Sequence, residues 1–118
     1  MVKDICFNLV ATVAPGKFDA FKAFIGPVVE QTKREPGCLG YELTVSDDKS
    51  TVYMLERFRD SAAIIHHITE TFSKSAKEFG ELVTVTNFVI FGDPNPEVRK
   101  MLEGAAAIYT SRFDGFTK

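Results

Sequence analysis

The chain has 118 residues, 45% of them hydrophobic, with 11 Phe and no Trp; 14 Lys and Arg against 16 Asp and Glu leave a formal charge of −2. That is enough apolar material for one domain with a buried core. The charges are spread along the chain, so there is no basic stripe to hold nucleic acid. No apolar run reaches the roughly 18 residues of a membrane span, and Met1-Val2-Lys3-Asp4 lacks signal-peptide organisation, so a cytoplasmic address is expected.

Residues 3–13 alternate, with Ile5, Phe7, Leu9, Ala11 and Val13 on one face and Asp4, Cys6, Asn8, Val10 and Thr12 on the other, which predicts a strand. Pro15-Gly16 breaks it. Phe18, Phe21, Ile25, Val28 and Thr32 then recur at helical spacing, with Pro27 expected to kink or restart the helix near Ile25-Gly26. Pro36-Gly37 ends that helix. Leu39, Tyr41, Leu43 and Val45 alternate in a second strand, and Val52, Met54, Glu56 and Phe58 share a face of a third. The intervening Ser46-Asp47-Asp48-Lys49-Ser50 is turn chemistry, so the two strands form a hairpin.

Asp60-Ser61 starts a second helix whose apolar positions are Ala62, Ala63, Ile65 and Ile68. Thr69-Glu70-Thr71 interrupts it before Phe72, Ala76 and Phe79, and Gly80 is expected to cap its end. Residues 81–91 make a last long strand, apolar on both faces. After Gly92-Asp93-Pro94-Asn95-Pro96, helical spacing returns at Val98, Met101, Leu102, Ala105, Ile108 and Tyr109.

The order is β-α-β-β-α-β, an α+β ferredoxin-like arrangement on an antiparallel sheet. Residues 1–93 form this body, and 94–118 a C-terminal helical extension of the same domain. Helices cover one face of such a sheet. Strands apolar on both sides call for a second cover, and an identical subunit supplies it, so a homodimer is expected. Its interface is expected on the strand-one face carrying Phe7 and Leu9, with Asn8 turned to the pocket. Cys6 and Cys38 stand singly, as free buried thiols in a reducing compartment.

Three pieces carry a family resemblance: Glu35-Pro36-Gly37-Cys38-Leu39-Gly40-Tyr41, then Tyr53-Met54-Leu55-Glu56-Arg57-Phe58-Arg59-Asp60, then Ala62-Ala63 and His66 with Phe72 six residues later. Over about residues 4–91 the chain resembles the antibiotic biosynthesis monooxygenase domain family of the dimeric α+β barrel superfamily. The resemblance implies a cofactor-independent monooxygenase in which a deprotonated quinol, anthrone or similar electron-rich aromatic itself passes an electron to oxygen. Such a site needs a dry pocket, a proton acceptor and an oxyanion donor.

By position the resemblance assigns Asn8 as the donor and His66 as a base. Glu56 is a further candidate base if burial raises its pKa. Phe58, Tyr41, Tyr53 and Phe72 are the expected walls of a pocket for a small aromatic molecule. His66 and its neighbour His67 diverge by about 100° around a helix, so no metal site is expected. Haem-degrading relatives carry an axial His where this chain has Ala76, which disfavours haem. The alternatives are an isomerase of a small carbonyl compound, using the same base and donor, and a non-catalytic small-molecule-binding dimer.

Overall fold

The computed structural model describes residues 3–118, so the first two residues of the expected N-terminal lead-in lie outside the described residues. The elements run β1 (Ile5–Val13), α1 (Phe18–Lys33), β2 (Cys38–Val45), β3 (Thr51–Phe58), α2 (Ser61–Glu70), a single 3-10 turn (Phe72–Lys74), α3 (Ala76–Leu82), β4 (Val83–Phe91), α4 (Pro96–Met101) and β5 (Ile108–Thr110). The sheet order is β2-β3-β1-β4-β5, antiparallel except for the β4–β5 pair. This is the expected α+β ferredoxin-like body with one added strand. Among the described residues no helix is long and apolar enough to cross a membrane.

All the helices pack on one face of the sheet. Alternation sends Ile5, Phe7, Ala11 and Val13 of β1 to that side, where each is buried. One core cluster sets Ala11, Val13, Val52 and Met54 against Phe21, Ile25 and Val28 of α1 and Phe79 of α3. The other sets Ile5, Phe7, Phe58, Phe88 and Ile90 against Ala63 and Ile64 of α2 and Val98 of α4. Phe7 therefore belongs to the chain's own core, edge-on to Phe58 and Phe88. This corrects the expected interface: the face left open carries Asn8, Val10, Tyr53, Leu55, Val89 and Phe91.

Several local readings change. Helix α1 runs unbroken across Pro27. Pro27 and Ala23, the residue whose carbonyl loses its partner, are both exposed, so water can satisfy that group. Gly80 lies within α3 and does not end it. Strand β4 carries a bulge: Val10 pairs with Asn87 and Ala11 with Val85, which leaves Thr86 extra. Its hydroxyl donates to the Val10 carbonyl at 3.2 Å. The bulge switches parity, so Val83 before it and Phe88 and Ile90 after it all reach the helix side. That is why both faces of the strand read as apolar.

The C-terminal helix is shorter than its periodicity suggests. It stops at Met101, and positive φ at Gly104 (+85°) and Ala106 (+54°) turns the chain back. Ile108–Thr110 then pairs in parallel with Val89, Ile90 and Phe91. Beyond it, Arg112 donates to the Asp4 carbonyl and sits 3.6 Å from its carboxylate, which Arg57 also holds at 3.1 Å. This staple closes one end of the open face over Cys6.

Candidate active site

Two backbone features bring three ionisable side chains together behind the sheet. The first is the turn after α1, where the Glu35 N–H donates to the Thr32 carbonyl and the Arg59 N–H to the Gly37 carbonyl. A Cβ on Gly37 would lie 2.4 Å from the Ala63 Cβ, so glycine is what lets α2 approach this closely. The second is the start of α2, where Asp60 accepts from the Ala63 N–H at 2.9 Å as its N-cap. Ala63, His67 and Thr71 then follow at intervals of four along one line. The His67 Nδ1 meets Glu35 Oε2 at 3.0 Å, and the Thr71 hydroxyl donates to the same oxygen at 2.7 Å.

Glu56 completes the group from β3, where Val52, Met54, Glu56 and Phe58 all turn inward. Its Oε1 stands 3.8 Å from His67 Nε2. Tyr41 faces Glu56 across the β2–β3 pair, with its ring centroid 5.9 Å from that of His67. Phe58 also packs near the imidazole, its ring centroid at 5.3 Å. His67 is 3% exposed, Glu35 and Glu56 7% each.

Burial sets the protonation of this group. Desolvation, and after it the charge of Glu35, pushes the Glu56 carboxyl up to about 8, so near neutral pH it mostly keeps its proton. Burial, followed by Glu56, raises the Tyr41 phenol well above its ordinary value. Burial also pushes the Cys38 thiol up to about 11, and the thiol donates to the Gly40 carbonyl at 3.4 Å. Nδ1 is the ring nitrogen of His67 turned to Glu35 and Nε2 the one turned to Glu56, so imidazole and carboxyl stand side by side. Glu35 Oε1 is buried and accepts no hydrogen bond among the described residues.

A crevice of about 200 Å³ lies between α1 and the sheet edge, lined by Val29, Thr32, Lys33, Cys38, Gly40 and Tyr41 among others. Tyr41 is common to the crevice and the buried group. A larger crevice of about 390 Å³ lies on the open face around Asn8, Glu42, Tyr53, Leu55 and Asn87, with the sheet between it and His67.

The profile of the antibiotic biosynthesis monooxygenase family matches residues 5–78, a stretch that holds Glu35, Tyr41, Glu56 and His67. The chain belongs to this family. Membership supports a monooxygenase-like function in general terms. The fold is similar to that of MupZ from Pseudomonas fluorescens, at 20% identity and TM-score 0.85, covering 100% of this chain and 91% of that one. PA3566 from Pseudomonas aeruginosa is 30% identical with TM-score 0.63 over 76% of this chain and 91% of its own. Rv0793 from Mycobacterium tuberculosis is 23% identical with TM-score 0.64 over 78% and 96%. No protein of curated function matches the sequence.

Within this family member the residues singled out from sequence separate into groups. Glu56, Phe58 and Tyr41 meet at His67. His66 is exposed, because the buried arc of α2 is Ala63, Ile64 and His67, while Ile65 and Ile68 are only half-buried. Asn8 lies on the open face; its Nδ2 is buried and unpaired among the described residues. Tyr53 is on that face too, 48% exposed. Since side chains alternate across β1 and β3, Asn8 and Glu56 are on opposite sides of one sheet. Phe72 packs against Phe79 at 5.4 Å, in the cluster under α1 and α3. Glu35, His67 and Thr71 escaped the sequence reading. Their signal was the four-residue spacing of Ala63, His67 and Thr71, which marks one helix line.

Proposed function

We propose that the chain is a cofactor-independent monooxygenase of quinols, anthrones or similar electron-rich aromatics, with His67 as its base. The observation that carries this reading is the buried imidazole held by Glu35, which Thr71 holds in turn, with Nε2 turned to Glu56 and the ring packed near Phe58 and Tyr41. Nε2 takes the acidic proton of the substrate. The resulting anion passes an electron to dioxygen, and the two radicals combine to form the new carbon–oxygen bond. Phe58 and the packed core exclude water, which preserves the base and the anion until oxygen arrives. On an anthrone the peroxide takes back the imidazolium proton; His67 then removes the remaining hydrogen of that carbon as the O–O bond breaks to leave a carbonyl. The departing oxygen takes the Glu56 proton and leaves as water, and the imidazolium restores the proton to Glu56.

On this reading the working unit is a cytoplasmic homodimer joined through the open faces, with Cys6 and Cys38 reduced. Tyr53, Leu55, Phe91 and Ile108, between 40% and 52% exposed, support that pairing, and the Asn8 amide finds its acceptor on the second copy. The test is oxygen uptake with a panel of quinols and anthrones, alongside thermal melting, for wild type, His67→Ala and His66→Ala. Loss of the base lowers turnover roughly 10²–10⁴-fold in His67→Ala, while His66→Ala stays near wild type. Full turnover in a folded His67→Ala protein, or no uptake by wild type across the panel, refutes the reading.

A further inference from the structure

Oxygenation by a deprotonated aromatic calls on a base first and on the Glu56 acid only when the oxygen departs. Yet Glu56 Oε1 stands 3.8 Å from His67 Nε2, too far for a mutual hydrogen bond and close enough for both to reach neighbouring atoms of one substrate. The titratable side chains around Glu56 are Glu35, Cys38, Tyr41 and His67. None is a lysine or arginine that would hold it as a carboxylate. Glu35 Oε1, buried without a donor among the described residues, offers one more acceptor to a substrate hydroxyl.

We propose that this pair also catalyses an oxygen-independent reaction, the enolisation of small carbonyl compounds bearing a hydrogen on the carbon next to the carbonyl. This inference rests on the same site as the monooxygenase reading. His67 Nε2 takes the proton as the C–H bond breaks. The electron pair moves to form the C=C bond, and the carbonyl oxygen takes the Glu56 proton. In reverse, the enol hydroxyl returns its proton to Glu56 and the imidazolium protonates the carbon. No oxidant enters, and the crevice of about 200 Å³ beside Tyr41 admits only a small molecule.

The experiment is anaerobic deuterium exchange into β-tetralone and cyclohexanone in D2O, followed by proton NMR, run beside aerobic oxygen uptake with quinols. Wild type exchanges the α-hydrogens well above the buffer rate. Glu56→Gln and His67→Ala each lose about 10²-fold or more of that acceleration, and melting curves verify that they are folded. Wild-type exchange falls as pH rises past about 8, where Glu56 loses its proton, and Glu56→Gln removes that alkaline limb. Oxygen uptake with exchange at the buffer rate overturns this inference and leaves the monooxygenase reading standing. Exchange that depends on both residues without oxygen uptake supports the inference and removes the oxygenase. Exchange unchanged in folded Glu56→Gln overturns the acid role even if His67 is essential.

Discussion

Replacing Gly37 with alanine puts the assembly of the site under direct strain. The new Cβ would sit 2.4 Å from the Ala63 Cβ, whereas carbon atoms rest at about 3.5–4.0 Å. Helix α2 must therefore retreat by roughly 1 Å or more at that turn. His67 lies one turn further along the same line, and the 3.0 Å contact of its Nδ1 with Glu35 opens to about 4 Å, beyond hydrogen-bonding range. Overpacking of this kind costs about 1–3 kcal/mol, and a weakened buried hydrogen bond to a charged group adds about 1.5–3. At about 4 °C per kcal/mol, Tm falls by roughly 10–25 °C. Turnover falls as well, since the imidazole loses its fixed orientation. The double variant Gly37→Ala/Ala63→Gly removes the obstructing methyl. It should recover most of the turnover, with a residual cost of about 1 kcal/mol for glycine inside a helix. Melting and oxygen-uptake assays on the three variants check this. A Gly37→Ala protein that melts and turns over like wild type refutes the reasoning, as does a double variant with no recovery.

Stability should also report the raised pKa of Glu56. The folded chain holds this proton to about pH 8 and the unfolded chain only to about 4.5, so the contribution is whole below pH 4.5 and declines as pH rises through 8. At about 1.4 kcal/mol per unit it spans up to about 5 kcal/mol, and melts between pH 5 and 9 should show a decline that Glu56→Gln flattens. Thr71→Val removes one of the two donors on Glu35 Oε2 and should cost about 1–3 kcal/mol. Its kcat should fall while KM is kept; a proportional change in KM alone would count against a positioning role. Leu55→Glu places a charge in the open face. Sedimentation should then show monomers where wild type shows dimers, because burying an unpaired charge costs several kcal/mol; a variant that stays dimeric removes this face from the interface.

The body of the fold was legible because its signals are local and agree with one another. Alternation in β1, the acidic turn before β3, the Asp60 cap and the break at Thr71 each depend on a few neighbouring residues, and together they leave one topology. The site was less legible, because its geometry is set by contacts distant in sequence. Glu35 and His67 are 32 residues apart, and the four-residue line that carries His67 competes with a more apolar line through Ile65 and Ile68. The C-terminal segment misled in a different way. Val98 to Tyr109 keeps helical spacing, but periodicity carries no information about the reversal at Gly104 and Ala106. Nor does it reveal the pairing of Ile108 with Val89.

The extra residue in β4 has a consequence for how this chain can tolerate change. Thr86 acts as a phase shifter: upstream positions count odd toward the core and downstream positions count even. The bulge is also where the strand can lose a residue: without Thr86, Val85 still faces Ala11 and Asn87 still faces Val10, so the ladder closes with both faces intact. The slack in β4 is confined to that point, and the positions on either side of it are held by the pairing with β1.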